Sequence, residues 1–134
     1  MERVRRAWGG NDRRQARRKD HRGGRRPDAC SYCLAAHTLL GKNAGASGQE
    51  IADAQAGHSD EPKTAAALAF ALKLVEHRGQ VVDADVEALR AAGFDDGQIV
   101  EIIAHVALNL FTNYVNIALD VPVDFPSVKF RRAA

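Results

Sequence analysis

From Pro27 onward the apolar residues recur every three to four positions, in five stretches punctuated by glycine, proline or clustered acids. That rhythm predicts five helices. Asp28 is the expected N-cap of the first, which runs through CSYCLAAHTLLGKN and ends near Gly45. Ser47 and Glu50 form a capping-box pair opening a short helix to about Ala56. Asp60, Glu61 and Pro62 place acids and a proline at the first turn of TAAALAFALKLVEHR, which Gly79 stops. Asp83 and Asp85 open VEALRAA, closed by Gly93, and Asp95, Asp96 and Gln98 start the longest helix, IVEIIAHVALNLFTNYVNIAL, limited by Pro122. No alternating pattern of useful length occurs, so the expected class is all-α: one small helical domain over residues 27–126, then an irregular tail over 127–134.

The last helix is apolar on nearly every side, with Ile99, Val100, Ile102, Ile103, Val106, Leu108, Leu110, Phe111, Tyr114, Val115, Ile117 and Leu119. A helix without a wide polar face is expected to be buried all round. One domain of this size can hardly cover it alone, so a homo-oligomer is expected.

Residues 1–26 follow different rules. Their few apolar residues fit neither a helical nor a strand period, and Gly9, Gly10, Gly23 and Gly24 interrupt any helix. Such a segment cannot bury enough surface to offset its ordering entropy, and it is expected to be disordered. Residues 1–29 carry a net charge of +7 and residues 30–134 carry −5, so the overall +2 describes neither part. A basic arm can bind phosphates, but Trp8 is its only aromatic and no base-reading module accompanies it, so nucleic acid is not the expected partner. Two origins stay open for the arm: a genuine basic tail, or a segment translated from a wrong start or reading frame.

The length of 134 residues has room for one core. No apolar run approaches the ~20 residues needed to span a bilayer, and no apolar stretch follows the basic N-terminus as in a secretory signal. A cytoplasmic location is expected. With two cysteines spaced C-x-x-C, a disulfide-stapled secreted scaffold is excluded, and in a reducing compartment the spacing points to redox or metal chemistry.

The candidate site is Cys30, Cys33 and His37. At ~100° per residue their offsets fall at about 0°, 300° and 340°, one narrow face of a helix. Both cysteines lie near the helix start, where unpaired backbone N–H groups favour a thiolate. His37 follows Cys33 by four residues, close enough to take its proton. Slight tightening of the first turn would let the two sulfurs alternate between dithiol and disulfide. A zinc site would need a fourth ligand that His58, His77 and His105 do not supply in any matching motif, and haem attachment would need histidine where Leu34 stands. No metal and no cofactor is expected. His105, one turn after Glu101, reads foremost as a satisfied, partly buried histidine, and the two are kept as possible supporting residues. Asn109, Asn113 and Asn116 form a polar stripe that either lines the site or bonds between subunits; His58 and His77 read as surface residues.

C-S-Y-C-L-A-A-H resembles the active-site helix of the alkylhydroperoxidase D-like branch of the carboxymuconolactone decarboxylase family. The likeness continues through EPKTAAALAFALKLVEHRG and DADVEALRAAGFDDGQIVEIIAHVALNLFTNYVNIAL to VDFP, about residues 29–126. It implies an all-helical fold assembling as trimers or hexamers, and an antioxidant peroxidase. In that scheme the cysteine matching Cys33, activated by the histidine matching His37, attacks a hydroperoxide. The cysteine matching Cys30 then resolves the sulfenic acid, and an external thiol donor restores the dithiol. The family also carries a relay glutamate twelve residues before the first cysteine, on an apolar helix; here that position is Arg18. Two other functions stay in view: a lactone decarboxylase like the family's namesake, whose chemistry does not call for a cysteine pair, and a non-catalytic oligomeric module with a degraded site.

Overall fold

A computed structural model of the protein describes residues 30–129; the basic arm 1–26 with Arg18, the cap assigned to Asp28, and residues 130–134 lie outside that span. Within it five helices follow one another and no strand occurs: α1 (Ser31–Asn43), α2 (Gly48–Gln55), α3 (Pro62–Glu76), α4 (Asp83–Ala91) and α5 (Asp96–Ala118).

The starts follow the capping chemistry of the sequence. Ser47 and Glu50 exchange hydrogen bonds of 3.1 and 2.7 Å at the head of α2, and Asp95 and Gln98 do the same at α5 with 2.8 and 3.1 Å. At α3, Glu61 accepts from the Lys63 and Thr64 N–H groups, while Pro62 fills a position whose N–H would have no helical partner. Asp60 is not the cap; it pairs with His58 at 3.2 Å. The head of α1 departs from expectation. Its N-cap is Cys30, in extended backbone, with α1 beginning at Ser31.

All five helices end in one pattern. The N–H three residues past the last helical residue bonds back to a carbonyl five residues earlier: Ala46 to Gly41, His58 to Asp53, Gly79 to Leu74, Phe94 to Leu89 and Val121 to Asn116, at 2.8 to 3.1 Å. This closure needs a left-handed residue just before the donor. Glycine supplies it at α1, α2 and α4, and a Cβ at Gly57 would also stand 2.7 Å from Leu72 Cδ1, so that side chain would have to shift. Arg78 and Asp120, at φ 53° and 51°, supply it at α3 and α5. The chain therefore leaves α3 one residue before the expected Gly79, and Asp120 rather than Pro122 ends α5.

The core lies where α3, α4 and α5 meet. Phe70 and Leu74 of α3, Leu89 of α4 and Ile99 of α5 are buried together, with Val81, Val86, Phe94, Ile102 and Val106 packed around them. Leu89 is the most enclosed at 1% exposure, and truncating such a residue to alanine costs about 2–5 kcal/mol. Lys73 pairs with Asp85 across α3 and α4, and Lys63 bonds the Gly93 carbonyl at 2.9 Å while sitting over the Phe94 ring. Helices α1 and α2 form a second small layer. Buried Thr38 donates to Leu34 O at 2.7 Å and accepts from Gln55 Nε2 at 3.1 Å, and α1 also rests on α5.

The all-round burial expected of the last helix is not met within one chain. Only Ile99 of α5 is buried, whereas Val100, Leu108, Phe111 and Tyr114 are 55–64% exposed. The reason is geometric: twenty-three residues make a rod of about 35 Å, and α1, α3 and α4 shield one side of it. No helix among the described residues is long and apolar enough to cross a membrane.

Candidate functional site

The site begins with a local backbone event. Cys30 has φ −98° and ψ 106°, so its side chain stands at the mouth of α1 rather than on its flank. From there its Sγ accepts the backbone N–H of Cys33 at 3.1 Å, the bond an N-cap oxygen would ordinarily make. The two cysteines form a disulfide with Cα atoms 5.3 Å apart, within the roughly 4.4–6.8 Å such bridges span. Two expectations change as a result. The bridge closes because Cys30 leaves the helix, not because the first turn tightens. Cys33 and His37 share a helix face, but Cys30 is not on it.

The electrostatics of the two sulfurs differ. Backbone N–H groups at a helix start are unpaired and carry the positive end of the helix dipole. Here the bonding N–H is directed at Cys30, so the helix start stabilises negative charge on Cys30 more directly than on Cys33. Cys33 is served from elsewhere: Asn116 Nδ2, near the end of α5, donates to Cys33 Sγ at 3.4 Å. Both cysteines are buried, at 6% and 9% exposure.

His37 is exposed, one turn along α1 from Cys33, and makes no hydrogen bond among the described residues. Tyr32, between the cysteines, stacks edge-to-face on Phe125 with ring centres 5.2 Å apart. Such a contact is worth about 0.5–1.5 kcal/mol, so it fastens the non-helical tail over the head of α1.

The sequence-derived residues thus divide. Cys30 and Cys33 come together at the head of α1, while His37 lies one turn further on, exposed and with no bond to either sulfur among the described residues. Glu101 and His105 do not join them. They lie eleven or more residues before Asn116 on α5, which separates them from its contact with Cys33 by roughly 16 Å along the axis. His105 is 68% exposed rather than partly buried, and faces Glu101 at 3.8 Å. An exposed pair of that length adds little to stability. Of the asparagine stripe, Asn109 bonds the His105 carbonyl of its own helix at 2.8 Å, and only Asn116 reaches a sulfur. The Tyr32–Phe125 contact had no sequence signal beyond two aromatics far apart in the chain. Among the described residues, no group of three or more His, Cys, Asp or Glu side chains is arranged to hold a metal ion.

The fold and the site together define a small all-helical domain carrying a buried cystine at a helix start. Compared with protein-family models and with curated proteins, the chain matches none.

Proposed function

We propose that this chain is a thiol-disulfide oxidoreductase that reduces hydroperoxides through the Cys30–Cys33 pair. The observation that carries the reading is the bridge across the mouth of α1, with the Cys33 N–H on Cys30 Sγ. In the reduced protein Cys33 gives its proton to His37, four residues on, and the thiolate attacks the terminal peroxide oxygen. The O–O bond breaks, the alcohol leaves with a proton, and Cys33 becomes a sulfenic acid. Cys30 then attacks that sulfur, water is lost, and the disulfide forms. Two electrons from an external dithiol carrier, itself oxidised to a disulfide, restore the pair.

The N-cap position suits Cys30 to this part. A resolving thiol must be ionised when it attacks, and must leave as a thiolate when the donor opens the bridge at Cys33. The hydrogen bond from the helix start favours the anion in both events. No metal or cofactor takes part. A reducing cytoplasm would supply the donor, and the exposed apolar side of α5 fits assembly with further copies of the same chain, as a trimer or hexamer.

The test is stoichiometric. Reduced protein treated with cumene hydroperoxide should lose two thiols per peroxide, at least roughly tenfold faster than a free cysteine at neutral pH. Cys33→Ser should abolish the reaction, and Cys30→Ser should stop it at a trappable sulfenic acid. Oxidation no faster than that of a small dithiol would overturn the reading. Alkylation trapping Cys30 as the faster nucleophile would reverse the two roles.

A further inference from the structure

Asn116 stands apart from the other polar residues of α5. Asn109 and Thr112 turn their side chains back to carbonyls of their own helix, at 2.8 to 3.1 Å. Asn116 instead crosses to α1 and places Nδ2 3.4 Å from Cys33 Sγ. Its backbone is held, because its carbonyl accepts the Val121 N–H at 3.0 Å in the closure that ends α5. The side chain is half-buried, so water competes weakly for the bond. Among the described residues it is the one side chain that donates to either sulfur.

We infer that Asn116 is a catalytic residue of the chemistry proposed above: its amide binds Cys33 Sγ and holds that sulfur as the attacking anion, while the start of α1 does the same for Cys30. This rests on Cys33 being a working thiol. A disulfide sulfur accepts hydrogen bonds weakly, and a thiolate accepts them strongly, so the contact gains strength when the pair is reduced. An amide carries no charge and does not titrate, so Asn116 supports the anion at every pH. His37 is left to handle the proton. Each sulfur thus has its own donor from a different helix, and the two can be perturbed separately.

That separation supplies the test. In a Cys30→Ser background, where the serine oxygen can still cap α1, the pH profile of iodoacetamide alkylation reports Cys33 alone. Asn116→Leu should lower its rate at pH 7 by roughly three- to tenfold and move the profile to higher pH, as loss of a hydrogen bond to an anion requires. Asn116→Asp, isosteric and negatively charged, should move it further, and decides the matter if the leucine variant does not fold. In a Cys33→Ser background the profile of Cys30 should not respond to Asn116→Leu. An unchanged Cys33 profile, or equal shifts at both cysteines, would overturn the inference. Peroxide turnover by the chain carrying both cysteines is the separate arm. A shifted profile without turnover removes the hydroperoxide reading and keeps Asn116 only as the donor that holds the Cys33 anion, whereas turnover with an unshifted profile removes Asn116 alone.

Discussion

Reducing the Cys30–Cys33 bridge should leave the fold standing, and the structure sets how much stability is lost. The bridge closes a loop of about four residues, and the chain-entropy relation gives such a loop about 2 kcal/mol at 25 °C, against about 3 for fifteen residues. The domain core is elsewhere, at Phe70, Leu74, Leu89 and Ile99, and α1 also buries Ala35 and Thr38, so its docking should not depend on the bridge. Cys30 also remains an acceptor for the Cys33 N–H as a thiol or thiolate, so the cap survives reduction. Far-UV circular dichroism should therefore superimpose before and after dithiothreitol. Thermal melting should fall by no more than roughly 15 °C, since 1 kcal/mol moves a domain of about a hundred residues by some 4–8 °C. In the same assay under reduction, Cys30→Ser should melt near the reduced parent, and Cys30→Ala should lose about 1 kcal/mol more with the cap. Loss of helicity on reduction, or a much larger fall in melting temperature, would refute the reasoning. The bridge would then be a structural staple, and a pair that unfolds the protein each time it opens could not cycle.

Two further outcomes can be checked in solution. With Val100, Leu108, Phe111 and Tyr114 exposed along α5, the chain should sediment as an oligomer, and Phe111→Asp should shift it towards monomer; a parent chain that is monomeric at every concentration tested removes the second copy as the partner of this face. The Glu50 carboxyl is held below its ordinary range by the Ser47 backbone and hydroxyl, Glu61 by hydrogen bonds from Thr64 and then Lys63, and Asp85 by Lys73 and then the Val82 N–H. Carboxyls depressed in the folded state stabilise it above their unfolded values, near pH 4, and that contribution is lost as pH falls through the folded ones. Melting temperature should therefore decline as pH drops below about 4, less steeply in Asp85→Asn, and an equal slope in that variant would show that Asp85 contributes nothing.

The order of the elements was legible because it depends on short-range chemistry. Ser47 with Glu50, Glu61 with Pro62, and Asp95 with Gln98 are caps completed within four residues, and each is found at the helix start it announces. The glycine stops at α1 and α4 are equally local. Errors arose where a position is fixed by less than its residue type. Arg78 and Asp120 take left-handed backbone that side chains rarely adopt, because the six-residue closure at each helix end compels it. Nothing in those two letters announces that. The expectation for α5 failed for a different reason. Periodicity tells which residues avoid water but not what covers them, and a single chain has too few other helices to enclose a rod of this length.

The candidate site was half legible, and the dividing line is again range. Spacing alone puts Cys33 and His37 on one face of α1 and brings Cys30 within bridging distance. It cannot say that Cys30 lies outside the helix, since that is a choice of backbone angles, and the choice aims the Cys33 N–H at Cys30 alone. The Asn116 contact spans 83 positions and depends on how α5 crosses α1. The sequence showed three asparagines as a polar stripe on that helix but left open whether they line the site or bond between subunits. Which of the three finds the sulfur is settled by how α5 packs on α1. The two sulfurs therefore take their hydrogen bonds at different ranges: Cys30 from the start of its own helix, and Cys33 from a side chain that only the tertiary fold brings near.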